Sequence, residues 1–494
     1  MADREPGAVA ESPEREATFG TLPVLREERV WNFADFTWVN IGLAIATWAF
    51  LVGGATAVFV GAERGIAAMV IGNAIAVVLM ILASVVSSGR YGLEQYTFLR
   101  SVFGPLGIAV IVFTVILVIE MGWTAVLAVM FGRATAQVSN EVLGTEIGPN
   151  AILVTLFALV ALATAWYVLA RGPLTIRFLN RIVAPVLAVV VVVMLVLIFS
   201  ERSWAEIAAA PPLEPFEDDT LNFMIAVEFN LGVGFSWWPV MGSLARLTTT
   251  PRAALWPNMI GLFAATIVAQ VVGLFAALTL GNADPTVWMI PLGGTVLGIL
   301  ALVFVAFANI TSMSSIVYST CLALRQAGGR PLQRLRWEVL TAAFFLLPAV
   351  IVFFPGGLYD NFLKFVTWGS AALASICGVV VADYFLLRRQ RIDLRAIYDD
   401  RGPYAFWGRV NPVAVAAFVL GFVVYVALFN PQTLRANSPF ELISASVPAF
   451  LAALLVHVVG TRLVVMRAGR GGYEPPEPRA AGEPVGARQA AGVR

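Results

Sequence analysis

The chain alternates between long apolar stretches and short polar connections. A helix that crosses the hydrocarbon core of a bilayer needs about 20 mostly apolar residues, and twelve stretches approach or exceed that length. They cover residues 36–60, 64–86, 107–131, 150–170, 181–199, 220–245, 256–280, 288–324, 337–354, 361–386, 410–429 and 440–464. The eighth stretch is long enough to contain a bend. The pattern predicts an all-α polytopic membrane protein with twelve transmembrane helices.

The composition points to the same class of protein. Hydrophobic residues make up 59% and charged residues 13% of the 494 residues, and the mean hydropathy is +0.83. Soluble domains average about 45–50% apolar and about 25% charged residues, so this chain has too little charge to solvate a globule of its size. The net charge of +1 disfavours a nucleic-acid partner, because binding phosphates requires clustered lysine and arginine.

Cysteine and histidine usage narrows the chemistry. The two cysteines, Cys321 and Cys377, lie far apart in apolar stretches, and His457 is the only histidine. With so few cysteine and histidine residues, we expect neither a disulfide framework nor a cysteine- or histidine-based metal site. We therefore expect no cofactor and no resident metal, and predict that His457 is an ordinary packing residue.

The basic residues predict the orientation. Lysine and arginine are enriched in the cytoplasmic connections of membrane proteins. With the N-terminus in the cytoplasm, 27 of the 32 lysine and arginine residues fall in inward-facing connections. The polar stretch before about Arg29 lacks the apolar core of a cleavable signal peptide. We predict an integral protein of the plasma (inner) membrane with both termini in the cytoplasm.

Helix-breaking residues interrupt the first and sixth apolar stretches. The residues concerned are Gly42, Gly53 and Gly54 in the first, and Gly232, Gly234, Pro239 and Gly242 in the sixth. Non-helical backbone at membrane depth is tolerated where it lines a cavity, and paired interruptions mark transporter binding sites. We predict breaks near 42–48 and 230–239 in a five-plus-five inverted repeat. Alternatively, the glycines only allow helices to approach closely.

This repeat divides the chain into five parts. We predict a cytoplasmic tail at 1–32, a first five-helix repeat at 33–205 and a second at 206–390. Helices 11 and 12, with the cytoplasmic loop before them, are predicted at 391–467, and a disordered cytoplasmic tail at 468–494. The last part is rich in proline, glycine and arginine, a composition that cannot bury enough apolar surface to fold.

Two acidic residues lie inside apolar stretches. Glu120 and Glu228 each cost about 2.5–3.5 kcal/mol at the bilayer centre on insertion scales, so each should face a cavity or a polar partner. Either residue could carry a coupling proton, or each could pair with a buried polar group. We favour Glu228 as the proton carrier, because it lies four residues before Gly232 and the predicted break.

Aromatic and small polar residues also occur at membrane depth. Trp123 and Trp237 lie inside their stretches rather than at the ends, where membrane tryptophans usually lie. The eighth stretch contains a polar run from Asn309 to Ser315. Its oxygen atoms suit a pore lining or a cation site, or ordinary contacts between helices.

Three sequence stretches together resemble the nucleobase–cation symporters, a family that includes purine–cytosine, allantoin and hydantoin permeases. They are GRYGLEQYTFLRSVFGPLG, SWWPVMGSLARLTTTP and ADYFLLRRQRIDLRAIYDDRGPYAFWGRVNP. The matching residues are Tyr91, Gly92, Arg100, Phe103, Gly104 and Gly107; Trp237, Pro239 and Arg246; and Asp383, Tyr384, Ile392, Asp393, Tyr398, Gly402, Tyr404 and Asn411. Ser243 stands where the purine–cytosine branch has aspartate. The likeness covers roughly residues 30–430.

The resemblance implies the leucine-transporter-like inverted repeat, with a flat heterocycle held between helices 1, 3, 6 and 8. The substrate-binding residues it implies are Ala46, Thr47, Trp123, Leu127, Phe235, Trp237, Ser312 and Met313. Trp123 and Trp237 would stack on the ring. Hydantoin transporters have a glutamine where this chain has Leu127, and the loss of that amide argues against hydantoin as substrate.

The resemblance also implies a cation site. Backbone carbonyls near Gly42 and Ile45, completed by Asn309 and Thr311, would hold a sodium ion. Sodium-coupled members have a serine–threonine pair where this chain has residues 307–308, a phenylalanine and an alanine. We therefore expect weak sodium dependence or none, with Glu120 or Glu228 coupling protons instead.

The sequence thus predicts a symporter that imports a nucleobase such as cytosine or a purine, or a related heterocycle such as allantoin. Its partners would be the heterocycle, a proton or sodium ion and the lipid bilayer. Two alternatives stay open, a same-fold symporter for an amino acid or vitamin precursor and a non-transporting membrane sensor. An enzyme is not expected, because no catalytic constellation or nucleotide-binding loop is found.

Overall fold

The computed structural model describes residues 22–473, without the side chains of residues 173 and 174. The predicted tails therefore lie largely outside the described residues. Fourteen longer helices are α1 (Phe33–Ala44), α2 (Thr47–Phe59), α3 (Ala62–Tyr91), α4 (Pro105–Leu143), α5 (Ile152–Ala170), α6 (Pro173–Glu201), α7 (Asp219–Phe235), α8 (Trp238–Ala245), α9 (Pro251–Leu280), α10 (Pro285–Ala327), α11 (Trp337–Ile351), α12 (Phe362–Leu387), α13 (Pro412–Leu428) and α14 (Ser446–Val465). Each predicted apolar stretch lies mainly on these helices.

Short elements connect the long helices. The α-helical ones are Gln95–Phe98, Arg100–Phe103, Trp204–Ala209, Gly329–Gln333, Pro355–Tyr359, Leu394–Ile397 and Phe440–Ile443, and the 3₁₀ turns are Arg26–Glu28 and Pro403–Ala405. An antiparallel pair, β1 (Phe429–Asn430) and β2 (Arg435–Ala436), follows α13. Single π-helical segments interrupt α3, α4 and α9, and π-helical segments form the ends of α12 and α14.

Helix length and apolarity identify a membrane protein. Within residues 22–473, eight helices are long and apolar enough to cross a bilayer, and α1 and α2 make a ninth if they form one bent span. The shorter helices α11 and α13 are also apolar, and the sixth apolar stretch is divided between α7 and α8. The polytopic helical class is thus confirmed.

The predicted breaks occur where they were expected. Helix α1 ends at Ala44 and α2 begins at Thr47, with a bend of 50° around the non-helical residues Ile45 and Ala46. Helix α7 ends at Phe235 and α8 begins at Trp238. Both interruptions span two residues, but the second distorts the backbone less than the first. Its two linking residues keep right-handed helical φ and ψ angles.

The glycines at 53 and 54 do not break the first stretch. A Cβ atom on Gly53 would lie 1.9 Å from the carbonyl oxygen of Gln270, and one on Gly273 would lie 2.0 Å from that of Phe50. Helices α2 and α9 therefore touch backbone to backbone. Here the close-packing explanation holds, as is common between membrane helices.

Two long helices differ from their predicted outlines. The third apolar stretch was predicted to end at residue 131, but α4 continues to Leu143 and ends at Gly144, which has a φ of 64°. Polar residues from Arg133 onward end the hydropathy signal without ending the helix, which stops only at this left-handed glycine. The predicted bend in the eighth stretch is confirmed at Gly294, where φ is 65° inside α10.

A buried amide network joins four helices. The Asn73 side-chain nitrogen donates to Asn230 Oδ1 (3.1 Å) and Gln270 Oε1 (3.0 Å), and the Asn230 nitrogen donates to Thr56 Oγ1 (3.4 Å). These residues lie on α3, α7, α9 and α2. Because such groups find no water inside a bilayer, their mutual bonds stabilise the packing of the bundle.

Both ends of the described chain lie at one end of the bundle. The Val24 nitrogen donates to Gly92 O (2.8 Å) in the connection between α3 and α4. Arg388 follows α12 and donates to Gly471 O (2.8 Å) and to Ser101 O (2.7 Å). The connections at 92–104 and 388–411 therefore meet the two chain ends on one face.

Candidate functional site

A small, mostly apolar cavity lies between α2, α4, α7, α8 and α10. These helices belong to the first, third, sixth and eighth apolar stretches. The residues that line it are Trp48, Glu120, Trp123, Leu127, Val233, Ser236, Trp237, Val240, Ser312 and Ile316.

Three tryptophans form the aromatic walls. The ring of Trp48 meets Trp123 edge to face, with centroids 6.3 Å apart and planes at 85°, and meets Trp237 at 5.4 Å and 70°. The Trp48 indole nitrogen donates to Leu43 O (3.1 Å) on the far side of the first break. This bond satisfies a carbonyl at the end of α1, so the break fixes the position of one cavity wall.

Phenylalanines of α12 cover the cavity from another side. The Trp123 ring lies 5.6 Å from Phe362 and 5.5 Å from Phe365, both edge to face. Beyond them, at the end of the bundle opposite the chain ends, Arg133 forms ion pairs with Asp360 (3.0 Å) and Asp284 (3.6 Å). These contacts tie α4 to the residues that directly precede α12 and α10.

The connection between α3 and α4 closes the cavity toward the chain ends. Gln95 Nε2 donates to Trp238 O (2.8 Å), and Gln95 Oε1 accepts from the Gly242 nitrogen (3.0 Å). The Tyr96 hydroxyl donates to Pro239 O (3.0 Å). The Gln95 amide therefore bonds both the Trp238 carbonyl and the Gly242 N–H group, which lie one helical turn apart in α8. A Cβ atom on Gly242 would lie only 2.3 Å from Gln95 Oε1, so this contact requires glycine.

A buried acid in the same connection contacts α8. Glu94 is fully buried, and its carboxylate accepts bonds from the Ser243 hydroxyl (3.0 Å) and the Thr97 nitrogen (2.8 Å). Burial raises the pKa of Glu94, although hydrogen bonds and the charge of Arg246 oppose that rise. Glu94 thus places a carboxyl group beside Ser243, where the related pattern has aspartate.

The structure brings about half of the predicted substrate-binding residues to the cavity. Trp123, Leu127, Trp237 and Ser312 line it. Ala46 and Thr47 lie at the first break, and the Thr47 hydroxyl accepts a bond from Asn309 Nδ2 (2.9 Å), which ties the break to α10. Phe235 and Met313 are buried without lining the cavity.

The predicted cation-site residues are more dispersed. A Cβ atom on Gly42 would lie 1.9 Å from Asn180 Oδ1, so Gly42 packs on α6. Ile45 lies at the first break, and the Thr311 hydroxyl donates to Ala308 O (2.9 Å) within α10. Phe307 is 49% exposed and lies against Phe131. Among residues 22–473, no group of histidine, cysteine, aspartate or glutamate is arranged to hold a metal ion.

The two membrane-depth acids have different surroundings. Glu120 lines the cavity, and its side chain makes no hydrogen bond or ion pair within the described part of the chain. Glu228 accepts bonds from the backbone nitrogens of Ala445 (2.8 Å) and Ser446 (3.1 Å) and from the Ser446 hydroxyl. Glu228 therefore caps the start of α14 instead of facing the cavity.

Several lining residues were not predicted from the sequence, and Trp48 is the most informative of them. The others are Val233, Ser236, Val240 and Ile316, whose residue types give no special signal in an apolar stretch. Trp48 follows the predicted break directly and lies inside its stretch. The rule that selected Trp123 and Trp237, a tryptophan inside its apolar stretch rather than at an end, also fits Trp48.

Two curated relatives align with this chain, one over most of its length and one over a short segment. The hydantoin permease of Microbacterium maritypicum is 24% identical over 413 residues, which cover 81% of this chain and 79% of that protein. The allantoin permease of Bacillus subtilis (strain 168) is 35% identical over 52 residues, covering 10% of this chain and 11% of that protein.

Solved structures share the fold. Mhp1, a nucleobase-cation-symport-1 family transporter, aligns in its closed conformation with bromovinylhydantoin bound at a TM-score of 0.73 and 20% identity, covering 91% of this chain and 96% of Mhp1. Its inward-facing conformation aligns at 0.74 and 21% identity, covering 90% and 94%. A Na⁺-coupled sialic acid symporter aligns at 0.59 and 12% identity, covering 91% and 96%.

A family model shows the membership directly. The model describes a permease for cytosine/purines, uracil, thiamine and allantoin, and it matches residues 23–460. This range contains the cavity, both breaks and the three signature stretches. The chain therefore belongs to the family of permeases for cytosine and purines, uracil, thiamine and allantoin.

Proposed function

We propose that this permease imports a nucleobase such as cytosine or a purine, or a related heterocycle such as allantoin, by alternating access. The observation that carries the proposal is the cavity between the two helix breaks, with the rings of Trp48, Trp123 and Trp237 on its walls. A flat polar ring stacks on aromatic side chains with about 1–3 kcal/mol per base.

The proposed architecture is twelve spans in a five-plus-five inverted repeat, with both termini in the cytoplasm. The repeats would cover 33–205 and 206–390, and α13 and α14 would lie outside them. The breaks in the first and sixth stretches support this division, because they occupy equivalent positions in the two halves. The shared face of both chain ends supports an even number of spans, and the many basic residues of the connections on that face support a cytoplasmic location for it.

The two curated relatives bear on which heterocycle this chain transports. The two curated relatives transport hydantoin and allantoin according to their names. The side chain of Leu127 contributes only apolar surface to the cavity, so it cannot bond a ring amide. We propose that hydantoin is not the substrate. An amino acid is also disfavoured, because its carboxylate would enter a cavity that already contains Glu120.

An uptake panel tests the proposed function. Cells that lack their own permeases and express this chain should accumulate at least one of radiolabelled cytosine, adenine, hypoxanthine, uracil or allantoin above cells with empty vector. Unlabelled substrate should compete, whereas hydantoin should not. Accumulation of none of these heterocycles, with the chain present at the membrane, would contradict the proposal and favour a non-transporting sensor.

We propose that a proton, not sodium, drives this uptake and that Glu120 carries it. Glu120 is the membrane-depth acid that lines the cavity, whereas the acceptor atoms of Glu228 are engaged at α14. We expect uptake to change little when choline replaces sodium at constant pH, because Phe307 and Ala308 supply no hydroxyl ligands. A collapse of uptake in choline would show that sodium is required.

A further inference from the structure

The cavity contains one ionisable side chain, Glu120. Of the ten residues that line it, seven are aliphatic or aromatic, and the other three are Glu120 and two serines. Glu120 is 1% exposed, and its Oε1 atom has no partner within residues 22–473. Two further polar atoms there, Ser312 Oγ and Trp237 Nε1, are buried without a partner in that part of the chain.

No nearby side chain of the described residues supplies a positive charge to this acid. Tyr96, in the connection at 92–104, feels the charge of this acid: burial and then the Glu120 charge raise the pKa of the hydroxyl. Tyr96 therefore stays neutral and donates to Pro239 O. An isolated carboxylate in apolar surroundings is strongly unfavourable unless it is paired. Either a proton or a positively charged group of the ligand can supply the charge that this acid lacks.

Building on the proposed function, we propose that Glu120 binds the substrate directly and selects heterocycles with an amino group next to a ring nitrogen. Cytosine and adenine carry this edge. Lactams such as uracil and hypoxanthine carry a ring N–H beside a carbonyl instead. Glu120 would be the specificity-determining residue of the site, in place of the amide that Leu127 does not provide.

Hydrogen-bond geometry explains the selection. An amino group and a protonated ring nitrogen donate two parallel N–H bonds to the two oxygens of one carboxylate, an arrangement that is both strong and directional. The proton can lie on the ring nitrogen or on the carboxyl oxygen, and both bonds persist in either case. The total charge of ring, proton and Glu120 is zero.

A lactam edge cannot keep both hydrogen bonds in the two protonation states of Glu120. It can pair with a protonated carboxyl group, but its carbonyl oxygen faces a carboxylate oxygen as soon as the proton leaves. The tryptophan walls add to the difference, because the faces of Trp48, Trp123 and Trp237 stabilise a positively charged ring by cation–π attraction. They offer a neutral lactam only stacking.

Matched ligands test this inference on the purified protein. Binding of cytosine against uracil, and of adenine against hypoxanthine, is measured by calorimetry in detergent at constant pH. Each pair differs at the edge that would face Glu120. We expect the amino ligand of each pair to bind about tenfold more tightly, since one good bidentate pair discriminates by about 5- to 150-fold.

One substitution assigns the preference to Glu120. In Glu120→Gln, the amide offers one donor and one acceptor, so it can pair with either edge, and we expect the preference to disappear. Glu141→Gln is the matched control, because Glu141 lies on the same helix in an exposed position and accepts a bond from Thr295. It should keep the wild-type preference.

The outcomes separate this inference from the proposed function. If the wild-type protein binds none of the four ligands, the inference fails, and the proposed function fails with it only if allantoin is not accumulated either. If it binds lactams as tightly as their amino partners, the inference fails while the proposed function stands, and this result needs no variant. A preference that survives in folded Glu120→Gln protein would also overturn the inference.

Discussion

Replacing Arg388 with alanine is expected to lower the free energy of unfolding by about 3–5 kcal/mol, because it leaves a buried acid without its cation. Arg388 and Asp383 form an ion pair of 2.5 Å with both side chains almost fully buried. The same carboxylate accepts a bond from the Tyr473 hydroxyl (2.6 Å) and lies 3.2 Å from His457 Nε2. Thermal and denaturant unfolding in detergent measure the loss.

An exposed pair in the same region gives the control. Arg409 pairs with Asp400 at 3.0 Å, and both side chains are more than half exposed. Exposed pairs contribute about 0–1 kcal/mol, so Arg409→Ala should be nearly neutral. The double variant Asp383→Leu/Arg388→Met should recover part of the lost stability, because it removes both charges together. Equal losses in Arg388→Ala and Arg409→Ala would contradict the expectation.

Replacing Trp123 with alanine is expected to weaken substrate binding by about 1–3 kcal/mol, or roughly 5- to 150-fold in Kd. The ring lines the cavity and is held by Trp48, Phe362 and Phe365, so its loss removes a stacking face that is already in position. Trp123→Phe should lose less, because it keeps an aromatic face. Binding is measured on purified protein with the tightest ligand of the uptake panel.

Two further variants complete this experiment. Trp237→Ala should weaken binding to a similar extent, because Trp237 forms another wall of the cavity. Trp166→Ala is the control, since Trp166 lies on α5 and its indole nitrogen donates to Glu338 O, away from the cavity. Wild-type affinity in both Trp123→Ala and Trp237→Ala would exclude stacking on these rings.

The sequence predicts the helices and the breaks because each depends on local composition. A bilayer demands about 20 apolar residues per helix, and that signal persists whatever the helix packs against. The first break falls at Ile45 and Ala46, inside the predicted interval, whereas Gly42 itself lies within α1 and packs on α6. Trp123 and Trp237 were found for the same reason, as aromatic residues within interrupted or neighbouring stretches.

Long-range partners escaped prediction. Glu120 and Glu228 look alike in sequence, and their difference depends on Ala445 and Ser446, which follow Glu228 by 217 and 218 residues. The prediction that His457 is an ordinary packing residue was wrong, because its Nε2 atom lies beside the Asp383 carboxylate in a fully buried cluster. Neither the hydropathy of a stretch nor its breaking residues carries information about such partners.

The bond between the Trp48 indole and Leu43 O joins a wall of the cavity to the end of α1 across the first break. The ring forms a wall of the cavity, while the carbonyl ends α1 on the far side of the break. A change in the 50° angle between α1 and α2 therefore moves a surface that a bound ring would touch. Thermodynamic linkage makes this relation reciprocal. A solute that favours one angle by occupying the cavity must, by the same factor, alter the affinity of any solute that binds at the break.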